Sequence, residues 1–195
     1  MFSQESLIFP ESGTNLHKPA LCASDMAKNS FFIRASVNAG DSNTYGQTEI
    51  DIGAYTDLGS SKPEILRIHN VSVAMTDSAG FVPTMGADTG GSAAWQLTTQ
   101  SQSAIVLQDD RSVISCGRGA FRNADSSALP PTQAFETQLL AQDFTQGYLV
   151  AVPSLFLSGL GDGEFTEDVY FTVILECTTE PATKANAVAL AVSQM

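Results

Sequence analysis

Segments in which every second residue is apolar recur along this 195-residue chain, while helical periodicity is almost absent. That single feature restricts the fold most. A strand shows its two faces alternately, so such segments must pair edge to edge and bury one face against another sheet. The clearest are Phe31–Val37, Glu49–Tyr55, Ile65–Met75 and Trp95–Thr99, rich in Val, Ile, Thr, Phe and Tyr. Ala104–Leu107 and Ser112–Cys116 read as a hairpin across Gln-Asp-Asp-Arg. Phe135–Leu140, Tyr148–Leu157 and Asp168–Cys177 supply the rest, and Ser158–Glu167, rich in Gly and acids, reads as a loop or tight turn. With long connections at 39–47, 76–94 and 117–133, the pattern predicts an all-β sandwich of about eight strands in one domain over 29–181. Residues 1–28 read as an extended N-terminal arm. Residues 182–195 form an apolar tail that either folds back on its own sheet or docks on a neighbour.

Charge then removes several functions. Only 15% of the residues are charged, below the roughly 25% of an ordinary globular chain, which fits a surface partly hidden against other subunits. There are 21 acidic against 9 basic residues, a net charge of −12, and no Lys/Arg cluster. Direct nucleic-acid binding, which needs clustered cations to displace counterions, is therefore not expected. Cys22, Cys116 and Cys177 make no CxxC or Cys/His cluster and read as small buried hydrophobes, with a single Cys22–Cys177 or Cys116–Cys177 bridge left open. The start of the chain lacks a basic region followed by an apolar run, so no secretory signal is read and synthesis in the cytoplasm is expected.

Motifs for chemistry are sparse. Asp88-Thr89-Gly90 spells the aspartic-protease triplet, but a protease needs two such carboxylates sharing a proton. There is one copy, preceded by Pro83-Thr84-Met85-Gly86-Ala87 rather than an apolar strand, and a dimeric protease using Asp88 ranks last among the functions. Asp41, Asn43 and Gly46 stand at positions one, three and six of an oxygen-ligand loop, yet Ile52 replaces the glutamate expected at twelve. Asp162 and Glu164 form a second acidic loop, and Asp109-Asp110 a third. Asp41, Asn43, Asp162 and Glu164 are the calcium candidates, and a structural divalent cation is the one bound group considered; no cofactor is expected. His17 and His69 lie near no nucleophile motif, so His69, on a face shared with Ile65, Arg67, Val71 and Val73, reads as a packed or interface residue. Trp95 and the scattered Tyr45, Tyr55, Tyr148 and Tyr170 leave a sugar-binding platform unsupported.

Two stretches carry a resemblance. Residues 148–180, YLVAVPSLFLSGLGDGEFTEDVYFTVILECTTE, look like the closing strands of single jelly-roll capsid subunits. The succession ILRIHNVSVAMTDSAG then AWQLTTQSQSAIVLQDDRSVISCGRG is similar to structural proteins of tailless icosahedral double-stranded DNA viruses of archaea and thermophilic bacteria. The resemblance spans about residues 48–180. It implies a single jelly roll, a non-enzymatic subunit that self-assembles through loop, arm and tail contacts, and residence in the virion. The implied partners are copies of itself and other virion proteins, including a spike, with an inner face that meets an internal membrane, another protein or DNA packed by a motor, and no direct sequence-specific nucleic-acid binding. A decoration, spike or tail-tube protein is the next reading, followed by a surface-layer or carbohydrate-binding module.

Overall fold

The computed structural model describes residues 30–194, with Phe135 described by its backbone alone. The expected arm at 1–28, with His17 and Cys22, lies outside the described residues. Nine strands follow in chain order: β1 (Phe31–Gly40), β2 (Gly46–Asp51), β3 (Glu64–Thr76), β4 (Gly90–Thr98), β5 (Val113–Arg122), β6 (Thr132–Leu139), β7 (Tyr148–Val150), β8 (Ser154–Gly161) and β9 (Val169–Pro181). A 3-10 turn at Ala141–Asp143 precedes β7, and helix α1 (Lys184–Ser193) closes the chain.

The strands form two antiparallel sheets, one ordered β1-β9-β3-β7 and the other β2-β8-β4-β5-β6. Leave out β6, an extra strand at the edge of the larger sheet, and the remaining eight form two four-stranded sheets, β1-β9-β3-β7 and β2-β8-β4-β5, with the chain changing sheet at every connection except β4 to β5. That order is the jelly roll. Four connections (41–45, 77–89, 123–131 and 162–168) gather at one end of the sandwich.

Alternation explains the burial. In β9, Val169, Phe171, Val173, Leu175 and Cys177 are buried, and Ile174 between them is exposed. Across from them lie Leu66, Ile68 and Val71 of β3, Trp95 and Leu97 of β4, and Leu155 and Leu157 of β8, in one continuous core. Burial of this apolar surface drives the sandwich together. Gly117 sits opposite Trp95, and a Cβ there would fall 2.3 Å from the indole nitrogen, so only glycine leaves room for the ring.

Several sequence expectations are corrected. Ala104–Leu107 is no strand: it lies in the connection between β4 and β5, and its main-chain groups are taken by side chains instead of a ladder. Tyr148–Leu157 is two strands in different sheets. Val150 ends one and Ser154 begins the next, and Pro153, which has no N–H to give a ladder, stands at the crossing. The single phase read through Ile65–Val73 breaks at His69. The register passes from Ile68↔Cys177 to Asn70↔Glu176, so His69 is an extra bulged residue. The inward set is therefore Leu66 and Ile68 before the bulge and Val71 after it, while His69 is exposed. β2 ends at Asp51, and β4, β5 and β8 extend into stretches read as loops.

The tail forms α1, capped by Thr183, whose hydroxyl accepts from the Asn186 amide at 3.3 Å. Ala187 packs against Ile65 and Ala151 in a second, smaller core. Gln194 fastens its end: the side chain accepts from Ala151 N (3.0 Å) and donates to Leu149 O (2.6 Å). Its carbonyl accepts from the Thr99 hydroxyl at 2.8 Å.

Candidate functional site

The two sheets present very different outer faces. On the larger one, the connection 99–112 lies across β2, β8, β4 and β5 and covers a polar network. Gln96, fully buried, donates to Tyr45 Oη (3.2 Å) and Ala104 O (3.1 Å) and accepts from Val106 N (2.9 Å). Tyr45 donates to Ser158 Oγ at 2.6 Å, and Gln47 reaches Tyr45, Ser158 and Gln102 O. Ser101 closes onto Gln47 at 2.6 Å, and Arg118 holds Val106 O at 2.7 Å. These bonds satisfy groups that would be expensive to bury alone.

The outer face of the smaller sheet carries no such cover among the described residues. Phe32 of β1 is 53% exposed with the Arg34 guanidinium 5.7 Å from its ring centre, and Ile174 beside them is 36% exposed. At one end of this face, a groove of about 830 Å³ runs from Ser30 across β9 and β3 to the Gln142–Gly147 connection. Its charged groups are matched to one another. Arg67 bonds Glu180 at 2.5 and 2.9 Å and also Gln146 O, and Glu180 raises the guanidinium pKa. His69 shares a 2.9 Å bond with the Thr178 hydroxyl. The Gln142 amide takes both main-chain groups of Val71, at 2.9 and 3.0 Å, as a neighbouring strand would.

The loop end holds most of the residues singled out by sequence. Asp88 has a left-handed backbone (φ 49°) and pairs with Arg122 at 2.6 Å, with both side chains more than half exposed. A solvated ion pair is not a shared-proton dyad. What shapes the Gly86–Ser92 turn is Asn123, a buried residue that sequence reading passed over. Its amide donates to Met85 O, Gly86 O and Ser127 O, and its oxygen accepts from Asp125 N. No signal in a lone Asn-Ala-Asp triplet points to that role.

The loop that carries Asp41 and Asn43 lies beside the one that carries Asp162 and Glu164: Asn43 N donates to Gly161 O at 2.9 Å, and a Cβ on Gly163 would lie 3.5 Å from Asp41 O. Asp162 already accepts from Ser92 N and Glu164 N, both at 3.3 Å. Among the described residues, no three His, Cys, Asp or Glu side chains converge as a metal site. Asp109 and Asp110 stand apart in the covering connection, where the Ser112 hydroxyl and amide hold the Asp110 carboxyl below its usual range. The same end exposes Phe81 (72%), Val82 (58%) and Leu129 (44%). Trp95 is buried between the sheets, unable to face a sugar, and Tyr55 stacks on Phe31. Cys116 and Cys177 are buried thiols that do not bridge each other.

No family model matches the chain, and no curated protein does. Solved structures do. VP1 of Trichodysplasia spinulosa-associated polyomavirus, in complex with GM1 oligosaccharide, is 9% identical with a TM-score of 0.47, covering 80% of this chain and 97% of that one. Apo New Jersey polyomavirus VP1 is 9% identical with a TM-score of 0.45, covering 79% and 100%. A Mud Crab Dicistrovirus chain is 12% identical with a TM-score of 0.31, covering 94% and 81%. The jelly-roll assignment itself rests on the strand order. The chain is an all-β sandwich with the strand order of a jelly roll.

Proposed function

We propose that this protein is a capsid subunit that assembles with copies of itself into a viral shell and performs no catalysis. The observation that carries the reading is the pairing of a jelly-roll strand order with an apolar loop end, where Phe81, Val82 and Leu129 stand out from the sandwich. Exposed clusters of large apolar side chains mark contact surfaces. The outer face of the smaller sheet, with Phe32 and Ile174, adds a second surface. Low charge content agrees with surfaces lost to such contacts.

The tailless double-stranded DNA virus type is supported by the sequence phrasing of 48–180 and by acidity. A net charge of −12 suits an inner face that meets protein or an internal membrane. A divalent cation enters as a bridge between copies, shared by the acidic loops of Asp41 and Asp162. Sedimentation velocity and negative-stain imaging of the purified full chain test the whole reading. Shells or capsomers are expected at high protein concentration, reinforced by calcium and loosened by chelation. A 20.6 kDa monomer at every concentration, with and without calcium, overturns it.

A further inference from the structure

We propose that two copies of this chain join through β6, paired antiparallel and edge to edge about a two-fold axis at Thr137. A strand at the rim of a sheet offers main-chain N–H and C=O groups that another chain can pair. Three of the four rim strands here are closed from within the chain. β7 is three residues long, and past it the Gln194 side chain takes Leu149 O (2.6 Å) and Ala151 N (3.0 Å). β1 and β2 close on each other at the opposite flank, where a Cβ on Gly46 would fall 2.0 Å from Asn38 O. The fourth rim is β6, which pairs with β5 alone. Among the described residues no main-chain group bonds its outer edge. Thr132–Ala134 and Glu136–Gln138 are all exposed, so the strand stands clear of the sandwich on both faces.

The residues of β6 name the occupant. A two-fold axis normal to the sheet sets one residue opposite itself, and the bulge at Ala134 confines the straight part of the strand to residues 135–139. With Thr137 on the axis, Glu136 stands opposite Gln138 and Phe135 opposite Leu139, a carboxylate against an amide and apolar against apolar. An axis at Glu136 would set two carboxylates face to face instead. Glu136 is the one charge in the strand, and Gln133 and Gln138 of its own chain already donate to it. β6 holds no Lys and no Pro, the residues that blunt an edge against other chains. This self-complementarity favours a second copy over an unrelated strand, and the two larger sheets then run on as one.

Thr137→Cys in a Cys22→Ser background of the full chain tests the axis, because directly opposed Cα atoms, about 4.5–5.5 Å apart, lie within disulfide reach. Mild oxidation is expected to cross-link it into a dimer, and to cross-link Gln133→Cys at least about tenfold less, since the register carries that site roughly 25 Å from its counterpart. Thr137→Lys sets two ammonium groups face to face at an exposed position. It is expected to raise the dimer dissociation constant about tenfold or more in sedimentation equilibrium, with far-UV dichroism unchanged. Equal cross-linking at both sites, or none from Thr137→Cys, overturns the proposal, as does a dimer that Thr137→Lys leaves as tight. Slow hydrogen exchange of the 135–139 amides that persists on dilution to monomer also overturns it, because the chain then covers its own edge. The contact rests on the reading of this chain as self-assembling, yet the two fail separately. A β6-joined dimer that never forms a shell sinks the shell alone, and shells built equally well by Thr137→Lys sink this contact alone.

Discussion

The two sheets are built from the same kinds of strand, yet among the described residues one wears a cover and the other does not. Over the larger sheet, connection 99–112 turns outward residues such as Gln96, Thr98 and Ser158 into buried ones. Over the smaller, outward residues such as Phe32 and Ile174 stay in contact with water. The difference teaches that outward polarity in this chain does not report exposure. Polar residues lie under the cover because they tether it, and apolar ones lie in the open where a partner is proposed to bind.

Gln96→Ala breaks the comparison hardest. It removes three bonds from a fully buried position and leaves Tyr45, Ala104 and Val106 short of partners. A loss of about 3 kcal/mol in urea unfolding is expected, with new proteolysis inside 99–112. A loss under about 0.5 kcal/mol would mean the connection is not a cover in solution.

Alkali probes the inward side of β9. Burial, reinforced by the Glu176 charge, pushes the Cys177 thiol up to about 12 from an ordinary value near 9. The unfolded chain thus ionises first, so the stabilisation is whole below pH 9 and drains away as pH rises toward 12. With about 1.4 kcal/mol per unit as the ceiling, roughly 2 kcal/mol is lost by pH 10.5. Burial shifts Cys116 and Tyr148 the same way. Cys177→Ala should flatten the alkaline limb; an unchanged limb would show the thiol is not the titrating group.

On the open face, Phe32→Ser with Ile174→Ser should change unfolding stability by less than about 0.5 kcal/mol while reducing oligomer mass in sedimentation. A large stability loss would show that the face is already covered within one chain. Smallest of all, Asp88→Asn deletes one exposed ion pair and keeps a residue that tolerates φ 49°, so a change of about 0.5 kcal/mol at most is expected in the same assay.

Much of the sandwich is legible in the sequence because alternation is a local property. β9 shows it plainly, with Val169, Phe171, Val173, Leu175 and Cys177 inward. Ala104–Leu107 misleads for the same reason: a run of Ala, Ile, Val and Leu has strand propensity, but its main-chain groups go to the Gln96 and Arg118 side chains, which only the fold brings near. The bulge at His69 was equally invisible, since a shift of phase needs the partner strand to reveal it. At the loop end, Asp41, Asn43, Asp162 and Glu164 could be named as oxygen donors, but that their two loops lie side by side depends on a contact more than a hundred residues apart in sequence. Asn123 and Gln96 gave no sign at all, because their bonds go to main-chain groups that only the fold brings near.

The sequence by itself determined that this chain is built mainly of strands, that acidic residues outnumber basic ones 21 to 9, and that Asp88 has no second triplet to work with. Each follows from local pattern or from counting. Tertiary structure alone decided the order β1-β9-β3-β7 against β2-β8-β4-β5-β6, the site of the bulge, and which outer face is covered. Those depend on which strand edges meet and which connection reaches across a sheet, and such long-range pairings leave no trace in a residue's neighbours along the chain.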